Sequence, residues 1–169
     1  MRDAVGSTWI FSLVLGFTLI FAAFLVLALS YSKAYKLKNE MGSMIERYEG
    51  ITYTDSSINS KGSLTVINQY LQNSGYNTMG SCPVGSYGSN DLTSTTLTPV
   101  TNTNAGQDFY YCIAKNTTNA GSKCSTIFEV TVFFRFNLPL LGELQEFRIT
   151  GQTNEVIGAY FLSTSPLTC

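Results

Sequence analysis

The chain contains no histidine, and this absence removes the commonest general base, metal ligand and pH switch of proteins. Charged residues are scarce at 12%, and ten Lys and Arg nearly balance eleven Asp and Glu, for a net charge of −1. Nucleic-acid binding therefore lacks its electrostatic driving force. These features argue against an enzyme, a metal or cofactor site, and a nucleic-acid partner.

The sequence also lacks any C-x-x-C pair, so zinc and thioredoxin-like chemistry have no local support. Its four cysteines, Cys82, Cys112, Cys124 and Cys169, lie in a polar region rich in Ser, Thr and Asn. An even number in such a region predicts two disulfides in an oxidising compartment, and four free thiols in a cytosolic domain is the alternative.

Three disulfide pairings are compatible with four cysteines. We favour Cys82–Cys112, which closes a threonine-rich loop, together with Cys124–Cys169, which fastens the C-terminus to a strand. The rival is Cys112–Cys124 with Cys82–Cys169, because Cys112 and Cys124 bracket a loop that joins neighbouring strands.

One long apolar run, Trp9 to Ser30, contains no charged residue (WIFSLVLGFTLIFAAFLVLALS). As a helix at ~1.5 Å per residue it spans roughly 33 Å, enough to cross a hydrocarbon core of ~30 Å. A secretory signal peptide, the rival interpretation, has a shorter apolar core of ~7–15 residues. We therefore expect a single-pass membrane anchor.

The helical pattern continues beyond the apolar run without a proline. Apolar residues recur there every three or four positions, which is typical of an amphipathic helix. The pattern predicts one helix from about Ser7 to Tyr48, ended by Gly50. It divides the chain into a transmembrane and amphipathic helix, residues 1–50, and a disulfide-bearing β-rich extracellular domain, residues 51–169.

Two groups of residues on this helix are predicted to pack. Small residues in the span allow helix backbones to approach closely in lipid, and an apolar stripe in the second half supports a domain. The predicted packing residues are Ser12, Gly16, Ala23, Leu37, Met41, Met44 and Tyr48.

The strongest strand signal is Ser125 to Asn137, where an apolar set alternates with mixed residues. The apolar set (Phe128, Val130, Val132, Phe134, Phe136) is predicted to face the core. A turn over 138–142 leads to a second strand over 144–157, in which Gly151 indicates a bulge or a close approach. The fold class is therefore α+β, a long helix followed by a small antiparallel sheet.

Weaker signals complete the second part of the chain. Ser63 is placed to cap a short helix over 64–72. Turn-forming residues over 82–107 predict a long loop with at most one short strand, and residues 115–123 a loop after a strand over 108–114. The C-terminal tail is expected to add an edge strand.

The signals for orientation conflict. Lys33, Lys36 and Lys38 follow the span, and counting positive charges alone places the following domain inside the cell. The cysteines and the polar surface place it outside. We give the second argument more weight, because the lysines lie in an amphipathic helix. The expected topology has the N-terminus inside and the C-terminal domain outside.

This organisation resembles type IV pilin-like proteins. The start, RDAVGSTWIFSLVLGFTLIFAAFLV, resembles TadE-like proteins of tight-adherence (Tad) pilus systems. INQYLQNSGYNTMGSCP and FEVTVFFRFNLPLLGELQEFRITGQTNEV are similar to the ectodomains of such proteins in Gram-positive bacteria. The resemblance implies a structural, non-enzymatic subunit of an adhesive surface filament or of its assembly machinery, which associates with copies or other pilin-like subunits through its N-terminal helix.

The sequence departs from the pilin pattern at the processing site. Gly16 to Ile20 match the start of a mature pilin, but Phe21 stands where that family has glutamate. Cleavage before this segment leaves only ~14 apolar residues, too few to span. Gly6 is better placed, yet Ser7 and Phe11 do not fit the positions that follow a prepilin-peptidase cut. These departures favour a minor or machinery subunit over a major one.

Two other classes of function are weighed against this one. An enzyme requires a Ser-Lys arrangement or a carboxylate pair such as Glu143 and Glu146, which are more simply solvated charges at a turn. A tethered recognition domain binds glycan or protein through Tyr87, Tyr110 and Tyr111 beside the threonine-rich loop.

Overall fold

The computed structural model describes residues 2–52, 62–120, 123–138 and 142–162. The described residues form two helices and ten short or long strands. The helices are α1 (Arg2–Arg47) and α2 (Ser63–Asn73). The strands are β1 (Gly50–Ile51), β2 (Gly80–Ser81), β3 (Tyr87–Ser89), β4 (Thr98–Pro99), β5 (Asp108–Phe109), β6 (Tyr111–Ala120), β7 (Lys123–Leu138), β8 (Gly142–Gln152), β9 (Val156–Ile157) and β10 (Tyr160–Phe161).

Helix α1 is continuous over 46 residues, and the helix predicted across the end of the apolar run is confirmed. Within the described residues it is the one helix that is long and apolar enough to cross a membrane, by length and composition. The helix ends at Arg47, three residues before Gly50. Gly50 has φ 125°, and a Cβ there would lie 2.1 Å from the carbonyl oxygen of Tyr160, so only glycine fits.

The main sheet is antiparallel, with strand order β4-β3-β6-β7-β8, and β9 pairs with the first residues of β7. The loop predicted over 115–123 is wrong, because β6 extends to Ala120 and pairs along its length with β7. Threonines account for part of this extension: Thr117 and Thr126 lie opposite each other, and their hydroxyl groups hydrogen-bond at 3.2 Å. The return strand is also divided, into β8 and β9.

The core lies between α1 and one face of the sheet. Phe128, Val130, Val132 and Phe134 are all buried on this face, as the alternation predicted, whereas the side chain of Phe136 is outside the described set. Helix α1 contacts β7 and β8 through one side of its second half. That side presents Ala34, Leu37, Met41 and Ile45, each at most 3% exposed. The predicted helix, sheet and apolar stripe thus form one core.

Gly151 shows why the helix and the sheet can approach so closely. Its partner on β7 is Val130 in regular register, so the bulge offered from sequence is not at this position but between Arg135 and Asn137. A Cβ at Gly151 would lie 2.4 Å from the side-chain Cδ of Lys38. The alternative interpretation, a close approach, is therefore the correct one.

The opposite face of the sheet is covered as well, which the sequence analysis missed. Phe133 is fully buried there in a small cluster with Cys82, Val100, Phe109 and Cys112. Residues 80–109 form this cover and contain β3 and β4, so the prediction of at most one strand in 82–107 is wrong. The ring of Phe109 lies where a Cβ of Gly88 would be, and this glycine lets the cover pack tightly.

Helix α2 packs beside α1 through Leu64, Ile67 and Leu71, close to its predicted limits. The predicted cap is wrong, since Gly62 occupies the N-cap position and makes no side-chain cap bond. Ser63 instead exchanges hydrogen bonds with Thr52: the Thr52 N–H donates to Ser63 Oγ at 2.9 Å, and the Ser63 N–H to Thr52 Oγ1 at 3.0 Å. Near the C-terminus, β10 pairs in parallel with β1.

We predict that Met41→Ala destabilises the domain by about 2–5 kcal/mol, because it opens a cavity between α1 and the sheet. Met41 is fully buried, whereas Asn39 two residues earlier is exposed. Asn39→Ala is the matched control and should cost less than about 0.5 kcal/mol. Urea unfolding of the full chain in detergent, followed by the near-ultraviolet circular dichroism of its tyrosines, measures both. Equal stability of the two variants would refute this core.

Candidate functional site

The candidate site is the surface of α1 that its own domain leaves uncovered. Large apolar side chains point outward all round the helix from Trp9 to Leu29, and Trp9, Phe17 and Ile20 are each more than 65% exposed (71%, 67% and 71%). Such a surface is unfavourable in water over this length. Lipid chains or other apolar helices are the environments that suit it.

The three small residues predicted to pack lie on one side of this helix. Ser12, Gly16 and Ala23 are separated by four and seven residues, which correspond to about one and two helical turns. Ser12 is exposed, and Gly16 and Ala23 are partly exposed. A Cβ at Gly16 would have nothing within 4 Å among the described residues. Contact of another helix with this side stays a prediction.

The four remaining predicted packing residues contact the chain's own domain or lie at the edge of that contact. Leu37 and Met41 are buried in the core, and Met44 and Tyr48 are partly buried beside it. Ala34 and Ile45 complete the buried side. The same side of α1 therefore differs between its two halves. In the second half it packs on the sheet, and in the first half the domain leaves it uncovered.

An aromatic cluster marks the level at which the open half meets the domain. The ring of Tyr31 packs edge-on against Phe134, with centroids 6.1 Å apart, and Phe134 stacks on Phe147 at 5.2 Å. A shallow cleft beside it is lined by Lys33, Phe134 and Arg135, among others. Cationic and aromatic groups therefore lie together on one side of α1 at the end of the apolar run.

One of the lysines that follow the apolar run has a structural role. The stem of Lys38 lies against Gly151, and its Nζ is 4.4 Å from the centre of the Tyr35 ring. About two turns further along α1, the Glu46 carboxylate accepts a hydrogen bond of 2.6 Å from the Asn154 N–H. These contacts fix the helix against the end of β8 at the far side of the domain.

The cover over the second face of the sheet is held by a disulfide. Cys82 and Cys112 are bonded, which is the pairing favoured from sequence, and the rival Cys112–Cys124 pairing is wrong. Cys124 is also disulfide-bonded. The proposed partner, Cys169, lies outside the described residues.

A buried tyrosine that was not singled out from the sequence bonds the backbone of Phe133. β6 begins opposite Val132, so the neighbouring residue Phe133 has no β6 residue paired with it. The Tyr76 hydroxyl accepts a hydrogen bond of 2.8 Å from the Phe133 N–H and is 2.9 Å from the Phe133 carbonyl oxygen. The Tyr76 side chain thus supplies the hydrogen bonds that a paired residue of β6 would otherwise make with Phe133. No local sequence pattern indicates this contact.

Several described residues of the two alternative functions make contacts within the domain. Tyr111 is fully buried, and its hydroxyl donates to Asn68 Oδ1 at 2.9 Å, so it offers no binding surface. Tyr87 is partly buried against Phe161. The Glu146 carboxylate accepts a hydrogen bond from the Ser81 N–H at 3.1 Å, which gives it a structural use. The side chain of Glu143 lies outside the described set.

Comparisons of the chain with protein-family models, with curated proteins and with solved structures give no match.

We expect Tyr76→Phe to destabilise the domain by about 1–3 kcal/mol, because the buried Phe133 N–H loses its acceptor. Tyr87→Phe is the matched control: it keeps the ring against Phe161, and the Tyr87 hydroxyl makes no hydrogen bond within the described residues. The control should lose less than about 0.5 kcal/mol. Urea unfolding of both full-length variants provides the comparison, and an unaffected Tyr76→Phe variant would contradict this role.

The same tyrosines predict loss of stability at alkaline pH. Burial raises the pKa of Tyr76 and of Tyr111 well above the ordinary value of about 10. Above pH ~10 the unfolded chain releases these phenolic protons and the folded chain keeps them, so the free energy of unfolding falls as pH rises. Tyrosinate absorbance should show two late-titrating groups that appear together with unfolding. Titration of all tyrosines before unfolding would be the contrary result.

Proposed function

We propose that the chain is a membrane-anchored, pilin-like structural subunit of a Tad or type IV pilus-type surface filament or of its assembly machinery. The observation that carries the proposal is the division of α1. Its second half is buried on its own sheet, while its first half exposes apolar side chains on every side. A helix of this kind can anchor the subunit in a membrane, and the same apolar segment can pack against the helices of other subunits.

The mechanism follows from what surrounds the open half of α1. In a bilayer, lipid chains cover Trp9 to Leu29, and no hydrophobic gain drives one helix onto another. Close packing through Ser12, Gly16 and Ala23 supplies van der Waals contact instead. When copies assemble, helix–helix contacts replace lipid contacts, and the apolar segment can leave the membrane without meeting water.

The proposed topology has the N-terminus inside the cell and the β-rich domain outside. Two observations support it. The domain contains the Cys82–Cys112 disulfide, which persists in an oxidising compartment. Lys38, one of the positive charges that argue for the opposite orientation, packs against Gly151 and Tyr35 and so has a use within the domain. In this topology the polar surface of the β-rich domain faces the outside of the cell, where it can take part in adhesion.

We predict that Gly16→Leu prevents assembly and leaves the fold intact. The structure has open space at Gly16, so the larger side chain costs nothing within one chain and obstructs only an approaching helix. Val14→Leu is the control, since residue 14 lies about 160° away from residue 16 around the helix at ~100° per residue. Cells expressing each variant are sheared, and the filament fraction is probed for the chain and imaged by negative staining.

Wild type and Val14→Leu should be released with filaments, whereas Gly16→Leu should remain in the detergent-soluble membrane fraction. Near-ultraviolet circular dichroism of the purified variants checks that the domain is folded in all three. If Gly16→Leu is released as efficiently as Val14→Leu, the small-residue side does not drive assembly. If wild type itself never leaves the membrane, the filament form of the proposal fails, and a subunit of the assembly machinery or a tethered recognition domain takes its place.

The topology is tested with single introduced cysteines. Asn90 is exposed in the domain, and Ser7 precedes the apolar run. A membrane-impermeant maleimide should label Asn90→Cys on intact cells and should label Ser7→Cys only after lysis. The native cysteines provide a background that wild-type cells measure. Labelling in the reverse order would show that the domain is inside.

A further inference from the structure

We propose that the cleft at the end of the apolar run binds the phosphate group of an anionic phospholipid. The cleft has a volume of about 180 Å³ and lies between α1, β7 and the segment that follows α2. Lys33 and Arg135 supply its positive charge, and Ser30, Asn77 and Thr78 supply neutral polar groups. The inference rests on the proposed membrane anchoring of α1, but on neither the filament nor the orientation of the domain.

The cleft lies beside a stretch of β7 that has no neighbouring strand on one side. β6 begins opposite Val132, and within the described residues no other strand pairs with β7 on that side beyond this point. The Tyr76 hydroxyl bonds the backbone of Phe133, the first residue of the unpaired stretch. Phe133, Phe134, Arg135 and Tyr76 all line the cleft. The early end of the β6–β7 pairing therefore leaves this space open beside α1.

The charges that line the cleft have one sign, since none of its lining residues is acidic. Within the described residues Lys33 has no ion pair. The Arg135 guanidinium is 3.8 Å from a carboxylate oxygen of Asp108, and this solvent-exposed pair is weak. The Glu146 carboxylate, opposite Arg135 on β8, accepts a hydrogen bond from the Ser81 N–H. Both cations are therefore available to an anionic ligand.

The neutral polar side chains of the cleft are available as well. Ser30, Asn77 and Thr78 have no side-chain hydrogen bond within the described residues. Hydroxyl and amide groups donate to phosphate oxygens, and Lys and Arg donate charge-assisted bonds that are roughly twice as strong. Two cations, three neutral donors and no carboxylate form a set of groups that suits a phosphate.

The position of the cleft on α1 indicates the source of the phosphate. Ser30 is the last residue of the apolar run and lines the cleft, so the cleft opens where the run ends. If α1 crosses a bilayer, the lipid headgroups lie at this level. Val26, about one turn earlier on the same side of the helix, is exposed, so an acyl chain can lie along it. A membrane lipid therefore meets the cleft at a higher local concentration than a soluble phosphate does.

The same charges distinguish between lipid headgroups. Phosphatidylcholine carries a quaternary ammonium group beside its phosphate, and this group is repelled by Lys33 and Arg135 and finds no carboxylate in the cleft. Phosphatidylglycerol has no positive charge, and its glycerol hydroxyls can bond the neutral side chains. We therefore choose phosphatidylglycerol as the probe for an anionic phospholipid.

Native mass spectrometry of the full-length chain, released from detergent micelles, measures the Kd of the first bound lipid. The probes are phosphatidylglycerol and phosphatidylcholine with the same acyl chains, and glycerol phosphate as the soluble probe. The test variant, Lys33→Ala with Arg135→Gln, removes both charges of the cleft. The matched control, Lys36→Ala with Arg148→Gln, removes two exposed charges of the same kinds that do not line it.

Wild type should bind phosphatidylglycerol at least about tenfold more tightly than phosphatidylcholine. The test variant should lose this preference, and the control should keep it. Asp108→Asn removes the competing carboxylate at Arg135 and should strengthen phosphatidylglycerol binding by up to about fivefold. Near-ultraviolet circular dichroism verifies folding. If the test variant does not fold, the gain expected for Asp108→Asn decides the matter, and its absence overturns the inference.

Four results would contradict the lipid assignment. The first is equal affinity of wild type for the two lipids, and the second is an equal loss in the test variant and the control, which indicates a general effect of surface charge. The third is displacement of phosphatidylglycerol by glycerol phosphate at the same concentration, which indicates a site for a soluble phosphate. The fourth is a test variant that keeps its lipid but loses a dimer, which assigns the cleft to another subunit.

The membrane anchor is tested separately with Trp9, the single tryptophan of the chain. Wild type is reconstituted in vesicles whose acyl chains are brominated near the headgroup, which quench tryptophan on contact. If Trp9 is quenched but phosphatidylglycerol is not preferred, the anchor stands and only the lipid site is overturned. If Trp9 is not quenched, the anchor fails, and the lipid site fails with it.

Discussion

The packing of α1 on the sheet is the interaction on which the rest of the structure depends. Ala34, Leu37, Met41 and Ile45 form one side of the helix and are buried on one face of β7. Apolar residues that recur every three or four positions form a stripe along the helix. They pack on apolar residues that recur every two positions on one face of the strand. Without this contact, the sheet would expose its largest apolar face and α1 would be a tether.

Because this contact uses only the second half of α1, it also determines what the first half can do. The apolar run is held in line with the buried half as one continuous helix, so its position relative to the domain is fixed. A flexible linker at Ser30 would leave that relation undefined. The continuous helix brings Tyr31 into contact with Phe134, which stacks on Phe147, at the end of the apolar run.

The second face of the sheet is stabilised differently from the first. The segment over 80–109 has few large apolar residues, so it covers Phe133 with a small cluster and the Cys82–Cys112 disulfide. Tyr76, outside this segment, hydrogen-bonds the backbone of Phe133. In the loop-entropy model, a disulfide across 30 residues contributes about 3–4 kcal/mol by restricting the unfolded chain. Covalent and polar contacts thus supplement a limited hydrophobic core on this side.

The sequence by itself determined the features that depend on local periodicity. The helix through the end of the apolar run, the stripe at Leu37 and Met41, and the core face of β7 all follow from spacing, because helix and strand periods are properties of the backbone. The Cys82–Cys112 pairing also emerged, since it closes one loop of the chain.

Only the tertiary structure decided the features that depend on distant segments. The burial of Phe133 and Tyr111, the strands within 82–107 and the pairing of β6 up to Ala120 follow from what packs across them, which no local pattern contains. The role of Tyr76 depends on β6 beginning opposite Val132, which leaves Phe133 without a partner on that strand. Spacing along a chain specifies which side chains share a face, whereas the partner of that face is chosen by the fold.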